Sequence, residues 1–341
     1  MDFDLVVIGD GIFANVFLFE LNKLVNKSQN FSVAKIFSEE LAPNCSLRTT
    51  STVSKNGIEE GISELGDLLV KSFEAFQQFS NEHQNVGIYP SKQYVASTHS
   101  KTEEKIQKRY GDKVSKLSQS YFKKNYLGVE LDSYIVIPEE FFSGLNSYPK
   151  NYQLKSIQSF VKFFEEKEDG VAIHLLNGDV ITAKKCVVAT GAFSRLFSDM
   201  FTETEIKEKI LNTKIVAGTY LIKKASFPND IYLTLNGHNL VYRKSTSELI
   251  IGSTTVEGPI TLPMMVELKE IFEDVKKSVT LDIGNFEDYT PVTGLRHKGQ
   301  KRMPYFKPIT KNQRVWFFNG AYKNGWSLPF YLAKKEAHLF C

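Results

Sequence analysis

Hydrophobic residues follow three rhythms along this chain, and each predicts a different kind of element. Continuous apolar runs mark strands buried on both faces. Leu5-Val6-Val7-Ile8 is the first and residues 186–189 another; residues 31–37 are read as a further strand between them. Stripes at helical spacing follow: Val16, Phe17, Phe19, Leu21 and Leu24 behind the first run, then Leu65, Leu68, Leu69, Phe73 and Phe76 within a helix over 61–79. A Lys-rich helix is predicted over 101–124 and an amphipathic one over 262–279. Alternation predicts strands over 86–97, 214–223 and 239–256, and a meander over 153–183 with turns at Glu168-Asp169-Gly170 and Asn177-Gly178-Asp179. Within 133–145 a short strand gives way to a helix with Pro138 in its first turn. Residues 291–306 and 315–335 supply a strand, a glycine turn and a terminal helix. The strands over 214–223 and 239–256 belong to an antiparallel sheet distinct from the parallel one.

Composition narrows the classes. A chain of 341 residues is long enough for an enzyme and, at the ordinary domain size of about 100–200 residues, for two domains. With 42 basic and 39 acidic residues it lacks a polyelectrolyte's charge. Three cysteines, Cys45, Cys186 and Cys341, are too few and too scattered for a disulfide framework and suit a reducing cytosol. Six histidines without paired spacing argue against a metal site. Asp2 and Asp4 precede the first strand where an export signal would be basic, and no apolar run reaches the ~18–20 residues a bilayer needs. The expectation is a cytoplasmic protein with no membrane partner.

The chemistry begins where the first strand breaks. Gly9, Gly11 and Ala14 spell G-x-G-x-x-A between a buried strand and an apolar-faced helix. Gly9 permits the turn, Gly11 lets backbone approach a pyrophosphate, and Ala14 lets the helix sit close to the strand. The fingerprint calls for an acid near the end of the second strand to bind a ribose, and Glu39 is chosen, with a solvated loop as the plain reading. Residues 42–58, rich in Ser and Thr and ending Asn56-Gly57, read as a loop that can reach phosphates. Thr190-Gly191-Ala192 is a small-residue break that lets backbone pass close to a cofactor.

Together these segments resemble the flavoprotein oxidoreductases of the D-amino-acid oxidase superfamily, most closely the glycine oxidase branch. The likeness rests on VVIGDGIFA (6–14), KIFSEELAP (35–43), CVVATGAFS (186–194), LIIGSTTVEG (249–258), GLRHKGQKRMPYF (294–306) and GAYKNGWSL (320–328), in order along nearly the whole chain. It implies an α/β fold: a Rossmann-like FAD-binding domain from 1–85, 133–213 and 290–341, interleaved with an antiparallel-sheet substrate domain from 86–132 and 214–289. It implies FAD, held non-covalently because no cysteine lies in the C-terminal flavin-facing segments. The pyrophosphate would lie at Gly9, Gly11, Ile12, Phe13 and Ala14, and the ribose at Glu39. Thr49, Thr50, Ser51, Asn56, Gly57 and Gly191 would approach the phosphates and ring; Gly320, Tyr322, Lys323, Asn324, Gly325 and Trp326 would border the isoalloxazine. Arg296 matches the arginine that holds a substrate carboxylate.

The implied reaction is oxidation of a primary or secondary amine or amino acid by hydride transfer to flavin, with oxygen as final acceptor. Departures from the pattern fall on substrate positions. Asn239 stands where relatives place a substrate-facing tyrosine, Tyr242 where they have proline, and Ala321 replaces a histidine. Their T-P-D-G becomes Gly299-Gln300-Lys301-Arg302, and Lys323 replaces an arginine. Glycine is therefore a poor substrate candidate, and a larger or more acidic amine is expected. Two alternatives stand beside it: a flavin enzyme acting on a modified tRNA base, suggested by basic clusters at 101–124 and 298–302, and a flavin-binding protein without oxidase activity.

Overall fold

The computed structural model describes residues 1–341 except 39, 41–42, 118–120, 125 and 260–261. Glu39, the expected ribose acid, thus lies outside the described residues.

The apolar runs meet in an eight-stranded sheet. Phe3–Ile8 sits at its centre, flanked in parallel by Ser32–Phe37 and Val180–Val188. Gln153–Gln158 extends the sheet beyond one neighbour and Val315–Asn319 beyond the other, both parallel. Phe13, Phe17, Phe73, Phe76, Phe79, Phe141 and Phe330 fill the core on one face, brought by helices Ile12–Leu24, Glu64–Glu82, Pro138–Ser147 and Leu328–Glu336. On the other face Phe164, Phe197, Phe201 and Phe317 form a second core under the antiparallel strands Val161–Glu166 and Val171–Leu175. Burial on both faces is why Leu5 to Ile8 and Cys186 to Ala189 read as unbroken apolar runs.

The alternating strands of the meander over 153–183 lie in the first sheet, whereas those over 86–97, 214–223 and 239–256 join a second sheet of ten. Its middle runs Thr290–Lys298, Lys214–Lys224, Glu248–Gly252, His238–Arg243, Ile231–Leu235, Ile88–Ala96 and Leu127–Val136. Leu268, Ile271, Phe272 and Val275 of helix Met265–Ser278 pack on its outer face against Leu233, Leu240, Tyr242 and Ile251.

Two segments depart from their patterns. The Lys-rich helix ends at Tyr110, because Gly111 takes a left-handed φ of 51° at its C-terminus; Ser115–Lys116 then pairs with Leu127–Val136. Within the polar segment 42–58, Thr52–Ser54 is a strand whose Val53 is buried opposite Tyr134.

Candidate functional site

At the carboxyl ends of the three central parallel strands an open cleft spans roughly 990 Å³, part of it open to solvent. Gly9, Asp10 and Gly11 line it from the first strand, Phe37 and Ser38 from the second, and Ala189, Thr190 and Gly191 from the third. Gly9 has φ 128°, and a Cβ there would overlap the Ala189 carbonyl oxygen, so only glycine lets the two strand ends approach this closely. Helix Ile12–Leu24 begins at this turn, and its first backbone amides lack intrahelical acceptors. Ser46 Oγ accepts the Ile12 amide at 3.0 Å, so the loop over 43–48 closes one side of the cleft. Location, helix N-terminus and glycine turn fit a dinucleotide.

The turn after the third strand is braced from below. Asn319, buried, donates from Nδ2 to the Gly191 carbonyl at 2.7 Å and to Ser194 Oγ, and Ser194 Oγ also donates to the Gly191 carbonyl at 2.8 Å. Gly191 itself has φ 58° with open space where a side chain would lie. The Thr49 and Thr50 carbonyls accept Arg243 Nη2 at 3.2 and 3.1 Å, and Ser51, at φ 47°, gives its carbonyl to the Val136 amide. Arg243 is buried beside Glu248, at 3.5 Å, and ties this loop to the second sheet.

A basic group lies on the inner face of that sheet. By register Arg296, Val216, Gly218, Tyr220, Gly252, Asn239 and Thr234 share one face, on five adjacent strands. The Arg296 guanidinium lies across Gly218, where a Cβ would come within 2.6 Å of its Cζ, and Nη2 donates to Ser253 Oγ at 3.2 Å. Glycine at 294 lets the loop over 45–48 approach: a Cβ there would stand 2.5 Å from the Arg48 carbonyl and 3.2 Å from Cys45 Sγ. Burial pushes the Lys323 amine below the usual lysine range, and the neighbouring charges of Arg296, Arg302 and Lys298 push it further. Among the described residues neither Arg296 nor Lys323 pairs with a carboxylate. Asn239 Oδ1 accepts the Thr234 hydroxyl at 2.7 Å, and Thr234 Oγ1 accepts Gln93 Nε2 at 2.7 Å. This chain leaves the Asn239 amide nitrogen as the donor its side chain can offer.

The remaining expected residues are placed as follows. Phe13 faces the core against Phe318, and Ala14 is buried under the helix. Gly325 approaches Ile12, 4.0 Å from its side chain to a would-be Cβ. Gly320, at φ 95°, passes close to Met303 and Pro304. Tyr322, at φ 51°, gives its amide to the His297 carbonyl, and Asn324 accepts the Ser327 and Leu328 amides. The Trp326 ring is buried against Phe141 and Phe142, so only its backbone is available to a ligand. Asn56 and Gly57 are held by the Tyr110 hydroxyl and are not among the residues that line the cleft.

Asp10, Cys45, Gly218, Arg243 and Asn319 were not singled out for roles at this site by the sequence. Arg243 carried one usable signal, since it falls two and four places from Val241 and Asn239 on one face of an alternating strand. Cys45 lines the cleft with its thiol pushed up by burial, an effect Arg296 opposes, and no local pattern marks it.

Solved structures share this architecture at low identity. Glycine oxidase from Bacillus cereus ATCC 14579 aligns over 99% of this chain and 94% of its own, with a TM-score of 0.77 at 15% identity. L-alpha-glycerophosphate oxidase from Mycoplasma pneumoniae, solved with FAD bound, aligns over 98% and 94%, TM-score 0.75 at 12% identity. Iminodiacetate oxidase from Chelativorans sp. BNC1 aligns over 98% and 94%, TM-score 0.72 at 13% identity. No curated protein matches the sequence significantly. Residues 4–339 match the profile of DAO, the FAD dependent oxidoreductase family. With nearly every residue inside that match and a cleft of the right shape at the strand ends, the chain belongs to the DAO family of FAD-dependent oxidoreductases.

Proposed function

We propose that this enzyme oxidises an amine or amino acid that carries a carboxylate and is larger or more acidic than glycine, with oxygen as the final electron acceptor. The observation that carries this reading is the pair Arg296 and Lys323: a part-buried guanidinium and, on an exposed residue, an amine whose pKa is lowered by desolvation and neighbouring cations, neither with a carboxylate partner among the described residues. Cations held out of water are costly unless an anion completes them, and a substrate carboxylate does so.

FAD, when bound, supplies the acceptor for the hydride that leaves the carbon beside nitrogen. Its pyrophosphate would be held by Gly9, Gly11 and the first-turn amides from Ile12 to Ala14, with Gly191 at the facing strand end. The segments Thr49–Thr50–Ser51 and Gly320 to Trp326 would border the rest. The protein's own task is orientation. The planar Arg296 fork suits bidentate carboxylate binding, and Gly218 leaves room for it to lie flat. The Asn239 amide nitrogen would be the donor it offers a ligand, and as a shorter side chain than the tyrosine expected of relatives it would leave more room for a bulkier substrate. Lys323 supplies a second positive charge for a second acidic group.

The test is an anaerobic flavin spectrum recorded against a panel of amino acids, N-alkyl amino acids and amino dicarboxylates. The flavin should bleach fastest with the acidic members. In the Arg296→Ala variant the bleaching rate at subsaturating substrate should fall roughly 100-fold, about 2.7 kcal/mol, while FAD is retained. Equal rates in parent and variant on every substrate would remove Arg296 from the site. Two of the basic side chains behind the nucleic-acid alternative, Arg109 and Lys298, are engaged by Glu59 and Glu257, which favours the small-substrate reading.

A further inference from the structure

An ion pair lies against the phosphate turn and serves no purpose in the reaction described above. Asp10 stands between Gly9 and Gly11, and its carboxylate borders the same cleft. Asp10 Oδ1 accepts Lys35 Nζ at 2.6 Å and Asn15 Nδ2 at 3.1 Å. Asn15 Nδ2 also reaches the Asp10 and Gly11 carbonyls, both at 3.0 Å, and Asn44 Nδ2 donates to the Asp10 carbonyl at 2.7 Å. Turn, helix and the loop over 43–48 are thus joined at one residue.

Lys35 is the unusual member. It lies in the middle of the parallel strand Ser32–Phe37, opposite Val7 and Ser156, with its side chain 8% exposed. Packing in such a strand favours an apolar residue there, since a buried cation is costly to strip of water. Its carboxylate partner among the described residues is Asp10. Asp10 in turn puts a negative charge at the place where a pyrophosphate must approach, drawn by helix amides that favour anions.

We propose that Lys35 is a positioning residue for the cofactor. It holds the Asp10 carboxylate in a neutral pair, so that the diphosphate meets the turn and the helix amides without a net opposing charge. This goes beyond the amine-oxidation reading and does not depend on which substrate is oxidised.

Apoprotein titrated with FAD, followed by quenching of flavin fluorescence, tests it directly. Lys35→Met should weaken FAD binding roughly tenfold, and added salt should narrow the gap to the parent by screening the exposed Asp10 charge. Adding Asp10→Asn to Lys35→Met should bring the affinity back to within about threefold of the parent, because the amide keeps the contact with Asn15 and removes the charge. Unchanged FAD affinity in Lys35→Met, or no recovery in the double variant, would overturn the proposal. Should Lys35→Met fail to fold, Asp10→Asn alone decides: it leaves the Lys35 cation beside the phosphates and should tighten FAD binding, and weaker binding would count against the proposal.

Discussion

At the scale of single residues, His297 departs from ordinary histidine chemistry. It is 3% exposed, with Nε2 at 2.7 Å from Thr213 Oγ1 and no partner for Nδ1. Burial lowers its pKa from 6.5 to about 4; the neighbouring Asn319 amide opposes the shift, and the charge of Arg195 adds to it. The folded state therefore resists a proton that the unfolded chain accepts at 6.5. Stability from this group is full above pH 6.5 and is lost as pH falls toward 4, a change of roughly 3 kcal/mol. Urea unfolding of parent and His297→Gln at several pH values should show the parent losing more stability across that window. Equal slopes would mean that the imidazole is not held neutral. Its adjacency to Arg296 in sequence gave no hint of this, because the alternation of the strand puts the two side chains on opposite faces.

At the scale of elements, the parallel core was legible and the reason is local. A buried strand, a glycine turn and an apolar-faced helix are adjacent in sequence over residues 3–24, so their pattern carries the geometry. The same holds for Pro138 at the start of its helix. The helix over 101–124 was overextended because lysines suit a solvated helix and the left-handed Gly111 that stops it resembles any other glycine in sequence. The glycine turn makes a sharp prediction. In Gly9→Ala the new methyl would overlap the Ala189 carbonyl, on a backbone at φ 128° that disfavours alanine, so the strand ends must separate. The purified variant should emerge without flavin colour and melt at lower temperature, with a cost of about 2–4 kcal/mol. Retention of FAD at the parent's stoichiometry would show that the ends do not need to be this close.

At the scale of the whole molecule, the substrate side was legible only through resemblance. Arg296, Gly218, Gly252, Asn239 and Thr234 become neighbours through the pairing of strands whose contacts span up to about 80 residues, and nothing in the local pattern encodes that register. Arg243, which ties the second sheet to the loop at 49–50, is hidden for the same reason. Among the described residues no helix is long and apolar enough to cross a membrane. The unpaired cations at Arg296 and Lys323 also bear on how fast a ligand arrives. With a net charge of only +3 the protein as a whole exerts little pull, so the attraction is concentrated around these two cations. Anionic substrates should be guided there during diffusion, and kcat/KM for them should fall steeply as ionic strength rises while kcat holds steady. A zwitterionic amine of similar size should show a much flatter salt dependence, so the cleft would sort its substrates by the speed of encounter before any of them is bound.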